Sequence, residues 1–115
     1  MKKVILLLPV LLLNFCLVLA QDAYERKVFV SSSGDSLNYR LLEPETMQTG
    51  EKYPLVLFLH GAGERGNDNE KQLTHGAQMF LNPVNREKYP AFVLFPQCPE
   101  DSYWACLLYT SDAAD

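Results

Sequence analysis

The spacing of apolar positions changes several times along the chain, and each change predicts a different element. Residues 4–19 form one apolar run interrupted only by Pro9 and Asn14, with Met1-Lys2-Lys3 before it and Val18-Leu19-Ala20 at its end. A basic start, an apolar centre and a small-residue exit predict a cleavable secretory signal over residues 1–20, cut after Ala20. Two alternatives stand beside it. The run is near the shortest that spans a bilayer as an uncleaved anchor. Cys16 would suit lipoprotein processing, although Phe15 before it is bulky for that chemistry.

Beyond the signal the period shortens to two. Residues 24–31 carry Val28 and Val30 on one face and Lys27 and Phe29 on the other, which predicts a strand. Ser33, Gly34 and Asp35 supply a turn, and Leu37, Tyr39 and Leu41 line one side of a second strand. Together these read as an antiparallel hairpin. Residues 44–52 are mostly polar and predict an exposed connector. Leu55 to His60 and Ala91 to Phe95 are continuous apolar runs without alternation, as in strands covered on both faces. Between them Leu73, Ala77, Phe80 and Leu81 share one helical face. Asn67 with Glu70 reads as the N-cap of that helix, Gly76 weakens it, and Asn82-Pro83 ends it. Hairpin, buried strand, helix, buried strand is the opening of a three-layer α/β fold with a largely parallel sheet. The two buried strands need neighbours on both faces, so residues 21–115 alone are expected to be aggregation-prone or molten.

Composition adds limits. The 115 residues carry a net charge of −4, and the same −4 remains over residues 21–105. A mildly acidic segment gives no reason to expect nucleic acid as a partner. Only Cys98 of the three cysteines lies within residues 21–105, so that stretch has no internal disulfide, and Cys98 either pairs elsewhere or stays free. The last ten residues, CLLYTSDAAD, resemble a translated sequencing adapter, the alternative being a short amphipathic tail. The expected organisation is a signal over 1–20, a domain portion over 21–105 and a non-native tail over 106–115.

The candidate chemistry sits in Leu59–Gly66, LHGAGERG. Gly61, Gly63 and Gly66 have the spacing of a dinucleotide fingerprint. In that fingerprint the helix begins within the glycines, facing a pyrophosphate, whereas here it is expected to start later, past Glu64-Arg65. The next strand ends in Phe95-Pro96-Gln97 with no carboxylate until Glu100, although the fingerprint requires one for the ribose. An exported protein also meets no reliable pool of nicotinamide. The same loop suits acyl transfer better. Backbone N–H groups aimed at a developing oxyanion stabilise the tetrahedral intermediate, and glycines allow the sharp turn and close approach that this needs.

Other combinations carry less. Ser31, Ser32, Ser33 and Ser36 belong to ordinary turn chemistry. No acid is spaced to join His60 or His75 in a triad, and His60, His75 and Cys98 approach no zinc spacing. Glu64 and Arg65 are either a solvated pair or residues that orient the loop and meet substrate. Trp104 is either core or pocket wall.

YPLVLFLHGAGERGNDNEKQLTHGA and YPAFVLFPQCP, with Trp104, resemble the N-terminal part of secreted bacterial serine hydrolases of the α/β-hydrolase superfamily. The most similar group is that of the predicted peptidases or prolyl-oligopeptidase-like hydrolases, with polyester-depolymerase-like and feruloyl-type esterases as relatives. The resemblance covers Tyr53 to Trp104 and implies roles residue by residue. Ala62 presents its N–H to an oxyanion hole with Gly63 beside it, and Gly61 is the glycine that follows the motif histidine. His60 shapes the loop and is not the catalytic base. Apart from the resemblance, His60, Gly61, Glu64, Arg65, Gly66 and Trp104 are the expected binding residues around the loop, with the alternatives for Glu64, Arg65 and Trp104 as given above. The implied reaction is cleavage of a small-molecule ester or peptide through an acyl-enzyme, with no cofactor and no metal. Secretion or periplasmic location follows from the signal, with no stable membrane anchor after its cleavage.

One part of the pattern is missing. No Gly-x-Ser-x-Gly nucleophile elbow occurs in the chain. In this superfamily the triad follows the oxyanion loop in the order Ser, Asp or Glu, His. The expected fold is therefore the N-terminal part of an α/β-hydrolase, truncated before the elbow, with the triad beyond Ala105. The alternative is a non-catalytic α/β-hydrolase-like binding or surface protein that kept the loop without the nucleophile.

Overall fold

Strand β1 (Glu25–Val30) pairs antiparallel with β2 (Ser36–Leu42), in register from Glu25 opposite Leu41 to Val30 opposite Ser36. Serine chemistry closes the turn between them. Asp35 N–H donates to Ser31 Oγ at 3.1 Å, and Ser33 Oγ donates to an Asp35 carboxylate oxygen at 2.6 Å. A computed structural model describes residues 23–105. The signal expected over 1–20 and the adapter-like tail expected over 106–115 lie outside the described residues.

The two apolar runs form β3 (Leu55–Leu57) and β4 (Phe92–Pro96), which pair in parallel. Phe58 N–H extends that ladder by donating to Leu94 C=O at 2.9 Å. β4 also pairs antiparallel with β2, so the four strands lie in the order β1-β2-β4-β3. The sheet is mixed, with the hairpin on one side and the parallel pair on the other. Its core is Tyr24, Leu42, Leu73, Ala77, Val93 and Phe95, with Val56, Phe58, Phe80 and Leu81 packed against it. Phe95 is the centre of an aromatic group, stacked on Phe58 at 4.6 Å and meeting the Tyr24 and Phe80 rings edge-on at 5.3 and 5.9 Å. Tyr24 Oη donates to Ala77 C=O at 2.8 Å, and burial pushes its phenol above the ordinary tyrosine range.

Three sequence expectations change here. The continuous helix expected from Asn67 to Leu81 is broken. It consists of a 3-10 turn at Lys71–Leu73 and helix α1 at Ala77–Leu81, separated by Gly76 in the left-handed region at φ 82°. Asn67 is not the N-cap: Glu70 holds that position with no side-chain cap bond, and just before it the Asp68 carboxylate accepts from the N–H groups of Glu70 and Lys71 at 3.0 and 3.2 Å. Asn82-Pro83 ends α1 as expected but also begins helix α2 (Pro83–Lys88). Asn82 Oδ1 accepts from Val84 and Asn85 N–H, and Pro83 occupies the first turn, where a missing N–H costs nothing.

The third change concerns β3, which is not covered on both faces. Val56 and Phe58 point to the core, while Leu55, Leu57 and Leu59 are 63%, 52% and 40% exposed. Among the described residues β3 is an edge strand of the sheet. An exposed apolar edge is an aggregation hazard unless another element covers it.

Candidate active site

At the end of β3 the chain enters the glycine loop through a buried histidine. His60 Nε2 accepts from Cys98 N–H at 2.9 Å, which needs the lone pair on that nitrogen and puts the proton on Nδ1. Nδ1–H in turn donates to Gly61 C=O at 2.6 Å. Both ring nitrogens are committed to the backbone, leaving no position for a substrate proton. Trp104 Nε1–H donates to the His60 carbonyl at 2.9 Å, and its half-buried ring lies 4.9 Å from the imidazole. Trp104 thus fixes the point where β3 becomes loop.

Gly61 is extended (φ −80°, ψ 179°) and leads into a 3-10 turn at Ala62–Glu64, closed by Glu64 N–H on Gly61 C=O at 3.3 Å. The first N–H groups of a helical turn have no partner inside it. Those of Ala62 and Gly63 have none among the described residues, and both residues are exposed. Two adjacent donors on one turn of exposed residues can bind an oxyanion.

Glu64 and Arg65 do not pair with each other. Arg65 Nε donates to Ala62 C=O at 3.0 Å and Nη1 to Ser102 C=O at 3.2 Å, while its guanidinium lies 4.7 Å from the centre of the Tyr103 ring. The Glu64 carboxylate is largely buried and lies 3.5 Å from His75 Nε2. Gly66 has φ 153°, and its N–H donates to Cys98 C=O at 3.0 Å. A Cβ there would come within 3.3 Å of Gln97 Nε2, which explains the glycine.

Beneath the loop lies a polar network that sequence reasoning missed. Gln97 is fully buried at the end of β4. Its Nε2 donates to the Asp68 carboxylate at 2.7 Å and to Glu64 C=O at 3.2 Å, and its Oε1 accepts from Asn69 N–H at 2.7 Å. One side chain therefore holds the Ala62–Glu64 turn and the next turn together. Asn69, at φ 54°, accepts from Gln72 Nε2 at 2.5 Å and donates to Lys27 C=O at 3.2 Å. Its own carbonyl accepts from buried Arg40 Nε at 2.7 Å. Desolvation raises the Asp68 carboxyl, but hydrogen bonds from Gln97 and from the N–H groups of Glu70 and Lys71, with the Lys71 charge, outweigh it and hold the group below its ordinary value. A signal for this network was present. A glutamine closing an apolar strand must be buried, and a buried amide needs partners.

A groove of about 430 Å³ also exists, lined in part by Leu42, Val56, Phe80, Arg86, Tyr89 and Val93. No residue of Leu59–Gly66 lines it. Among the described residues no three His, Cys, Asp or Glu side chains group as metal ligands.

No protein-family model and no curated protein matches the chain. Among solved structures, a crystal structure of a thermostable esterase matches with a TM-score of 0.70 and 43% sequence identity, over 75% of this chain and 24% of that one. The fold is the N-terminal portion of an α/β-hydrolase. The chain thus spans about a quarter of the esterase's length. In this portion of the hydrolase fold the glycine loop leaves the C-terminal end of a parallel strand, where open α/β sheets place their ligands.

Proposed function

We propose that the chain is the N-terminal part of an exported serine hydrolase that cleaves a carboxylic ester, or a peptide bond, through an acyl-enzyme. Leu59–Gly66 is one side of its oxyanion hole, with Ala62 N–H as a donor and Gly63 N–H beside it. The observation that carries this reading is the pair of N–H groups, of exposed Ala62 and Gly63, without a partner among the described residues, on a turn held from below by Gln97 and from the side by Arg65. The esterase likeness favours an ester as the substrate class. As a nucleophile attacks the carbonyl carbon, its oxygen takes on negative charge. Donors already in place stabilise that charge without reorganising, and losing one typically costs about 10²–10³ in kcat. The serine, its histidine base and the acid that orients the base come from sequence beyond residue 105, and export follows from residues 1–20.

The test begins with the source DNA past codon 105. The reading frame is expected to contain Gly-x-Ser-x-Gly after one further apolar strand. Its full-length product is expected to hydrolyse p-nitrophenyl acetate and to be silenced by a phosphonate, while the 115-residue chain does neither. A complete frame without the elbow would sink the enzyme reading and leave the non-catalytic binding protein.

A further inference from the structure

The two candidate donors belong to peptide units that are also hydrogen-bonded at their oxygen ends. Gly61 C=O shares a peptide plane with Ala62 N–H, and it accepts from His60 Nδ1–H at 2.6 Å and from Glu64 N–H at 3.3 Å. Ala62 C=O shares a plane with Gly63 N–H, and it accepts from Arg65 Nε–H at 3.0 Å. Hydrogen bonds in series polarise one another, so a donor at the carbonyl end makes the N–H at the other end a stronger donor. The effect is larger when the donor carries a charge.

Resting on the serine-hydrolase reading, we propose that Arg65 is a positioning residue that orients and polarises the Ala62–Gly63 peptide, making Gly63 N–H a second oxyanion donor. Arg65 acts through the backbone and does not hold substrate. Its geometry suits that role. One edge of the guanidinium is bonded to Ala62 C=O, another donor to Ser102 C=O, and its face covers Tyr103, so the side chain is fixed at three points. A lysine is a point charge on a flexible stem and cannot satisfy all three. The charge sits behind the peptide, on the side opposite the N–H that meets the oxyanion. It therefore strengthens a bond that matters most when the carbonyl oxygen is negative, in the transition state.

Arg65→Met and Arg65→Lys in the full-length protein test this, with kcat and KM measured separately on p-nitrophenyl acetate. The Met variant is expected to lose about tenfold in kcat, less than the loss of a whole donor, with KM within about twofold of the parent. Added guanidinium ion should recover part of that loss, and the Lys variant should fall between Met and parent. Parental kcat in either variant overturns the proposal. So does a raised KM at unchanged kcat, which would make Arg65 a substrate ligand. A kcat loss that neither guanidinium nor lysine recovers also overturns it, since that is the mark of a purely structural role. If the Met variant fails to melt cooperatively, the Lys variant decides alone, by a kcat below parent at parental KM. A parent with no phosphonate-sensitive hydrolysis is a different failure, that of the serine-hydrolase reading itself.

Discussion

Gln97→Leu is expected to destabilise the full-length protein by about 3 kcal/mol or more, since each buried group left unpaired costs about 1–3 kcal/mol. Leucine fills nearly the same space, so the loss isolates hydrogen bonding from cavity formation. Three partners are abandoned: the buried N–H of Asn69, the carbonyl of Glu64 and the Asp68 carboxylate. Asn69 is the worst placed, because it sits at φ 54° and its conformation rests on these bonds. Release of Glu64 also frees the turn that carries Ala62 and Gly63. A shift of about 1 Å at a reacting group can cost about 10²-fold in rate, and kcat should fall by that order while KM changes little. Urea unfolding and steady-state kinetics on the same preparation check both parts. A variant within 1 kcal/mol of the parent, with parental kcat, would mean that Gln97 does not support the loop.

Gly76→Ala should be comparably severe for a different reason. A Cβ built at position 76 lies 2.5 Å from Phe58 Cζ and 2.7 Å from Cε2. Phe58 cannot withdraw, since it is stacked on Phe95 at 4.6 Å and edge-packed on Phe80 at 6.2 Å. The left-handed backbone costs a non-glycine residue about 1–2 kcal/mol, and overpacking adds about 1–3 kcal/mol. A loss of about 3–4 kcal/mol is expected from these two terms. Gly50→Ala separates them, because Gly50 has φ 85° but nothing within 4 Å of its Cβ position. It should lose only the backbone part. Equal losses at the two positions would show that contact with Phe58 contributes nothing.

These two positions also show how far the sequence could be read. The hairpin and the two apolar strands were legible because period and composition are local properties, and β1, β2, β3 and β4 lie where alternation and apolar runs place them. Gly76 was visible as a weakness in a helix, but not as a left-handed break, since that depends on Phe58 lying across it. Asn82-Pro83 has two meanings, stop and start, and α2 was missed because only the first was read. The continuous apolar run Leu55–Leu59 signalled cover on both faces, yet the described residues supply it on one. The loop itself was legible as a motif. Its support was not, because Gln97 reaches Asp68, Asn69 and Glu64 from about thirty residues away in sequence. The same holds for Arg65, whose second anchor is Ser102. Contacts of that range are fixed by the parallel pairing of β3 and β4, which no local pattern encodes.

The most direct measurement is a crystal structure of the full-length protein after reaction with a phosphonate ester, whose phosphoryl oxygen stands in for the oxyanion. That oxygen is expected about 2.7–3.1 Å from Ala62 N, with Gly63 N also in reach, the distance an oxyanion donor requires. A phosphoryl oxygen held by other groups, with both N–H groups of the Ala62–Gly63 turn facing solvent, would contradict it.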